Sequence, residues 1–300
     1  MNTFYLKQTF LKLSFILSFL TLLTTPAGAK LRKMDSTRLM STSGAGIGAV
    51  LLNEAAFLNP ASIYFFKESS FYYQKGGAKL EDESELRNEG YSDGSNEAFL
   101  ITDTSSALKG SFSYQYQSEN GESRKRLTSS ASTHMSKKSS FGVLYRYTED
   151  DTLNGHKVFH QAVFGMTYVV DPRLTLGAIL EDPFLANKED TRLAGGIQYA
   201  LTQNFLILAD IGANYNDEPE DKNFWRAAGQ AQFFKRFYLK YGKFEDKIEN
   251  LRGNSWGLSW IGPKLGLEYA FRKSKAFDDS ENFFDEEEIE EHSLALSLVF

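Results

Sequence analysis

Residues 256–272 read Trp256-Gly257-Leu258-Ser259-Trp260-Ile261-Gly262-Pro263-Lys264-Leu265-Gly266-Leu267-Glu268-Tyr269-Ala270-Phe271-Arg272. Two runs with a two-residue period flank a Gly262-Pro263 turn. Successive side chains on a strand point to opposite faces. The first run therefore sets Trp256, Leu258 and Trp260 against glycine and serine. The second sets Leu265, Leu267, Tyr269 and Phe271 against residues that include Glu268 and Arg272. One face of this predicted hairpin is aromatic and aliphatic, and the other is small, polar or charged.

The pattern extends through most of the chain. Phe112, Tyr114 and Tyr116 alternate with Ser113, Gln115 and Gln117; Phe141, Val143, Tyr145 and Tyr147 alternate with Gly142 and Arg146. Trp225, Ala227, Gly229, Ala231 and Phe233 stand against Arg226, Gln230 and Gln232. Fourteen such segments are predicted, near 69–80, 97–104, 108–118, 124–136, 139–149, 156–169 and 173–182, then 190–200, 204–214, 222–233, 236–245, 252–261, 264–273 and 289–300. Connections after even-numbered segments are tight, as at Lys137-Lys138, Asp171-Pro172, Leu201-Thr202-Gln203 and Gly262-Pro263. Those after odd-numbered segments are longer and polar, as at 81–96, 149–155, 215–221 and 274–288. An even strand count with the long connections at one end predicts an all-β fold, a transmembrane antiparallel barrel. A soluble sandwich has no reason to gather its long loops that way. An Arg or Lys on the lipid face costs about 2–4 kcal/mol at mid-membrane. Arg146, Arg192, Asp210, Arg226, Glu268 and Arg272 are therefore expected to face the lumen.

The start of the chain reads as an export signal. Lys7 and Lys12 lie beside an apolar run from Leu13 to Leu23, and Ala27-Gly28-Ala29 supplies a small-x-small cleavage site. A spanning helix needs roughly 20 apolar residues, so residues 1–29 are expected to be a cleaved secretory signal. The chain has no cysteine. That excludes a lipid anchor, disulfides, thiol nucleophiles and Cys-ligated metals. A formal net charge of −6, from 33 Lys+Arg against 39 Asp+Glu, gives no basic footprint for nucleic acid. Four histidines are too few for a His-rich metal centre.

At the other end Leu294, Leu296, Leu298 and Phe300 alternate with Ser293, Ala295 and Ser297. The terminal Phe300, in alternation with Leu296 and Leu298, resembles the C-terminal signature that assembly machinery reads in bacterial outer-membrane barrels. Leu296, Leu298 and Phe300 carry it. The expected location is the outer membrane of a Gram-negative bacterium, with both termini periplasmic. Expected partners are outer-membrane lipid, lipopolysaccharide and the barrel-assembly machinery.

Residues 41–61 read Ser-Thr-Ser-Gly-Ala-Gly-Ile-Gly-Ala-Val-Leu-Leu-Asn-Glu-Ala-Ala-Phe-Leu-Asn-Pro-Ala. Gly44, Gly46 and Gly48 allow close approach of backbone to backbone. Val50 to Leu58 is expected to form two helical turns that Asn59-Pro60 ends. This stretch resembles the N-terminal hatch of the FadL-type hydrophobic-compound transporters, whose relatives include the PorV-like barrels of type IX secretion. The small residues from Gly44 to Ala49, the run Glu54-Ala55-Ala56 and the triplet Asn59-Pro60-Ala61 carry the resemblance. Ser62 follows the triplet where the family commonly has glycine. The resemblance implies that residues 30–66 fold as a plug inside a barrel formed by residues 67–300. It implies passage of small hydrophobic or amphipathic molecules by plug rearrangement and lateral exit. It leaves open a non-transporting scaffold for secretion or surface attachment. A general diffusion porin would leave the hatch unexplained.

Three matches to catalytic or metal patterns fail on context. Gly44 to Ala49 fits G-x-G-x-x-A but has no preceding strand and no parallel partner. Gly253-Asn254-Ser255-Trp256-Gly257 fits G-x-S-x-G, an elbow that requires a strand-to-helix turn, whereas here the alternation continues. His156 and His160 would stand about 13 Å apart on a strand, too far to share an ion. No enzyme activity, cofactor or metal is expected. The acidic run from Asp278 to Glu291 around Phe283-Phe284 is expected as a solvated, self-repelling loop. Its oxygen-rich composition leaves a divalent-cation site as the alternative.

Overall fold

The computed structural model describes residues 31–50, 53, 57–80, 93–119, 121–153, 155–276 and 288–300. The expected secretory signal, the Glu54-Ala55-Ala56 run, residues 81–92 and most of the acidic run lie outside them. So does much of the stretch expected to be helical between Val50 and Leu58.

Fourteen strands close into one antiparallel barrel. The first seven are β1 (Ser70–Leu80), β2 (Gly94–Asp103), β3 (Lys109–Glu119), β4 (Glu122–Ser136), β5 (Ser139–Thr152), β6 (Gly155–Val169) and β7 (Leu174–Glu181). The rest are β8 (Arg192–Ala200), β9 (Phe205–Ala213), β10 (Asn223–Phe233), β11 (Phe237–Asp246), β12 (Leu251–Ile261), β13 (Leu265–Ala276) and β14 (Glu288–Val299). Every strand pairs with its sequence neighbours, and β1 pairs with β14 from Ser70 opposite Val299 to Leu80 opposite Ile289. Closure satisfies the backbone ladder without leaving an edge, the condition for a sheet in lipid.

Alternation sorts the two faces. Tyr241, Trp256, Leu258 and Leu294 are exposed on the outside, while their strand neighbours point inward and are buried. The six connections that follow even-numbered strands lie at one end. At the other end the structure departs from the expected loops. The connection expected at 149–155 shrinks to 153–154, and β3 and β4 are joined by 120–121 alone, as β4, β5 and β6 extend to 15, 14 and 15 residues. The longer connections at that end are 81–93, 182–191, 214–222 and 277–287.

The N-terminal segment carries a short helix, α1 (Thr37–Ser41), and a 3₁₀ turn at Pro60–Phe65. Ser36 caps α1 by accepting from the Leu39 N–H at 3.1 Å. Ser43 and Gly44, both at positive φ, end it as the Gly44 N–H donates to the Leu39 carbonyl. Helix α1 touches β11, β12, β13 and β14, and the 3₁₀ turn touches β3, β4, β5 and β6. Gly46 and Ile47 reach Asp210 on β9. A segment in contact with opposite sides of a closed barrel lies within it. Its Leu39, Ala45, Ile47, Phe57 and Leu58 pack with inward Tyr72, Leu100, Leu144, Val163 and Leu208 in one buried cluster. Full burial of a leucine-sized side chain contributes about 1.5–3 kcal/mol.

Candidate functional site: the seat of the N-terminal segment

The seat begins around α1. Its Thr37 N–H donates to Gln74 Oε1 at 2.9 Å and to the Tyr72 hydroxyl at 3.1 Å, both on β1. The Thr37 and Ser293 hydroxyls meet at 2.6 Å, and those of Ser43 and Ser255 at 2.8 Å. Arg272 of β13 pairs with Asp35 at 2.6 Å and with Glu291 at 2.5 Å. It ties the approach to α1 to the wall. Glu268, also on β13, accepts from Lys240 at 2.7 Å and from Ser259 at 3.0 Å.

The glycine turn is held by a carboxylate. Asp210, 1% exposed, accepts from the Gly46 N–H at 2.7 Å and the Ile47 N–H at 3.0 Å. Convergent backbone N–H groups form a small anion cradle. They offset the cost of burying the charge through charge-assisted hydrogen bonds. Arg226 donates from Nη1 to the Gly44 carbonyl at 3.2 Å and from Nη2 to Asp246 at 2.9 Å. The two wall side chains thus grip the turn by its donors and its acceptor.

Asn59 has a different role from the one its sequence context suggests. It starts the 3₁₀ turn rather than ending a helix. Its Oδ1 accepts from the Ala61 N–H at 3.1 Å, and Pro60 occupies the first position, where a missing N–H is harmless. Its amide donates to the Ile47 carbonyl at 2.8 Å and to the Met166 carbonyl at 3.2 Å, joining both halves of the segment to β6. The Ala61 carbonyl accepts from Ser140 at 2.8 Å and from Ser132 at 3.2 Å.

The wall answers with glycines of its own. A Cβ on Gly177 would stand 1.9 Å from the Ile47 carbonyl oxygen, and one on Gly165 2.2 Å from Asn59 Oδ1. On Gly142 it would meet Ala61 N at 2.5 Å, on Gly257 Ser41 Cβ at 2.3 Å, and on Gly242 the Thr42 carbonyl carbon at 2.7 Å. Gly196 faces Gly48, where an added Cβ on Gly48 would lie 2.5 Å from the Gly196 carbonyl. Glycine inside a strand often marks the approach of another backbone. Here such positions recur on β5, β6, β7, β8, β11 and β12.

The charged residues of the lumen are buried, Arg146 at 3% and Arg192 at 2% exposure. Arg146 pairs with Glu181 at 2.5 Å, and Lys33 joins the same carboxylate at 3.2 Å. Arg192 pairs with Glu249 and lies 3.9 Å from Asp246. Burial, and then Arg192, pull the Lys33 ammonium below its ordinary pKa, against the opposing pull of Glu181. Lys33, Arg146, Glu181 and Glu249 border a cavity of about 660 Å³ at the long-connection end, lined also by Leu31, Arg126, Phe159, Asp190, Asn214 and Ile248. Two cavities beside Arg32 and Lys33 measure only about 10 and 40 Å³.

Compared with solved structures, the chain is similar to the CymD monoaromatic hydrocarbon channel, with a TM-score of 0.68 and 10% identity over 89% of this chain and 97% of that one. The barrel has the FadL-type fold. The Ralstonia pickettii toluene transporter TbuX matches with a TM-score of 0.61 and 10% identity, covering 89% of this chain and 98% of that one. A Pseudomonas aeruginosa FadL homologue matches with 0.60 and 11%, covering 90% and 99%. These FadL-type neighbours are transport channels rather than enzymes. No protein-family model matches the sequence, and neither does any curated protein.

Several members of the seat escape a reading of the sequence: Lys33, Asp35, Glu181, Lys240, Asp246 and the wall glycines. Lys240 stands between outward Leu239 and Tyr241, so alternation alone places it inside. Gly177 and Gly196 sit on inward parity of strands that otherwise carry bulky side chains. The terminal residues face away from the seat: Leu298 and Phe300 are exposed on the outer side, with the Phe300 N–H donating to the Ser69 carbonyl at 2.9 Å. Leu31, by contrast, lines the cavity at the long-connection end.

Proposed function

We propose that this chain is an outer-membrane barrel whose N-terminal segment closes the lumen, and that small hydrophobic or amphipathic compounds pass when the segment shifts. The observation that carries the reading is the seat: the segment contacts opposite walls, and its backbone, with the short side chains of Ser41, Asn59 and Pro60, fills the space beside the wall glycines. The likeness to channels for monoaromatic hydrocarbons and toluene supports transport of a small apolar compound. The resemblance of the Gly44–Ala61 stretch to a hatch points the same way, as does the girdle of outward aromatics to a membrane location.

The number of anchors favours a second reading. A segment held by Asp210, Arg226, Arg272, Asn59 and Ser140 suits a permanent filling as well as a gate. It is compatible with a PorV-like scaffold that transports nothing. Conductance of the folded full-length barrel in a planar bilayer, compared with a chain lacking residues 30–62, tests closure. A silent full-length protein and a conducting truncated one are expected. Steady conductance from the full-length chain overturns the plugged reading and points to a porin. Proteoliposome uptake of toluene separates the transporter from the scaffold.

A further inference from the structure

The cavity at the long-connection end is lined by a cation that no carboxylate of the described residues contacts directly. Arg124, Arg126 and Arg146 stand on the inner faces of β4 and β5, where Arg124 is opposite Asp150, Arg126 opposite Thr148, and Thr128 opposite Arg146. The outer two members of this ladder are paired. Arg124 holds Asp150 through two hydrogen bonds of 2.7 and 2.6 Å, and Arg146 holds Glu181 at 2.5 Å. Arg126 is 5% exposed, and among the described residues the one hydrogen bond of its guanidinium is from Nε to the Thr148 hydroxyl at 3.0 Å. No carboxylate among the described residues lies within 4.0 Å of its guanidinium. Asp190 lines the same cavity and acts on Arg126 through space, but its hydrogen bonds are to the Gln161 and Asn187 amides at 2.9 and 3.1 Å, and it makes no direct contact with the guanidinium.

A buried guanidinium is ordinarily paired, and its planar fork matches a carboxylate. Next to it, Phe159 of β6 is opposite Thr148, so Arg126, Thr148 and Phe159 form one row across three strands. Phe159, Leu31 and Ile248 supply the apolar part of the lining. The acidic Glu189 and Asp217 stand on exposed loops at the cavity mouth, where solvent and salt screen their repulsion.

We propose that the Arg126 row is a binding site for a small organic carboxylate with an apolar, preferably aromatic, body. The carboxylate supplies the direct ionic contact that no described side chain gives Arg126, and Phe159 packs against the body. This site rests on the transport reading for its purpose but not for its chemistry, and it sharpens the compound from apolar to anionic and amphipathic.

The test is binding of benzoate to the folded full-length barrel in neutral detergent, by saturation-transfer NMR, with benzamide as the uncharged isostere. Expected is saturable benzoate binding that benzamide does not compete for, weakened roughly tenfold or more by Arg126→Gln and largely kept by Arg126→Lys. Equal affinity for benzoate and benzamide overturns the proposal even if the glutamine variant fails to fold. So does benzoate binding unchanged in a folded Arg126→Gln barrel. Uptake of toluene into proteoliposomes is measured in parallel. Toluene uptake without Arg126-dependent benzoate binding removes the site and leaves the transport reading standing. Arg126-dependent benzoate binding without uptake of either compound keeps the site and removes transport.

Discussion

The outer and inner faces of the same strands follow different rules. Along β7, Leu176 and Ala178 point outward to an environment that asks only for apolar surface. Gly177 between them points inward, with a carbonyl of the N-terminal segment where its Cβ would stand. On β12, Trp256 and Leu258 are exposed, while Ser255 bonds Ser43 and Gly257 touches Ser41. Outside, composition suffices; inside, each position has a specific neighbour. The difference arises because lipid adapts to a rough apolar surface, whereas a packed lumen does not.

Substitutions on the two faces turn that contrast into measurements. The largest effect is expected from Gly177→Leu, which cannot be accommodated without moving the backbone at Ile47. It should release the segment, seen as new protease cleavage within residues 31–66 or as new conductance. Leu176→Ala, one residue away on the outer face, should do neither. An intact, silent Gly177→Leu barrel would show that the seat yields more readily than its geometry implies.

Next comes Asp210→Ala. It strips the acceptor from two buried backbone donors, each costing about 1–3 kcal/mol when left unpaired. A clear fall in urea midpoint is expected, and Asp210→Asn should recover part of it because one amide oxygen still accepts. Leu258→Arg probes the outer face, with an expected loss of about 2–4 kcal/mol if it lies near the membrane midplane. An unchanged folding free energy in bilayers would argue that this face is not in lipid. The smallest effect belongs to Glu97→Gln, which breaks the exposed Lys75–Glu97 pair at 2.8 Å. Exposed pairs contribute little, so the melting curve should not move.

Much of the barrel is legible in the sequence because its signal is local. A two-residue period in β3 or β12 needs only its own residues to be recognised, and turn chemistry at Lys137-Lys138 or Gly262-Pro263 marks the boundaries. Loop length proved less legible. Residues 149–152 are polar enough to suggest a loop, yet they extend β5 because Asp150 and Asp151 find pairing partners across the ladder in Arg124 and His156. Asn59-Pro60 was ambiguous for a similar reason: the same dipeptide can stop one helical segment or start another, and only the partners of the Asn59 side chain decide.

The sequence by itself therefore determined the class of fold, the strand count, the outward face of regularly alternating strands such as β3, β5, β12 and β13, and the inward parity of Arg146, Arg192, Asp210, Arg226, Glu268 and Arg272. Periodicity is a property of the chain and survives without knowledge of its neighbours. Tertiary structure alone decided that Asp210 cradles the Gly46 and Ile47 amides, that wall glycines receive the segment, and that Arg126 is the member of its ladder without a carboxylate. Those facts join residues far apart in sequence, such as Gly46 and Asp210. They exist only once closure of the barrel has brought opposite walls within reach of one strand of backbone.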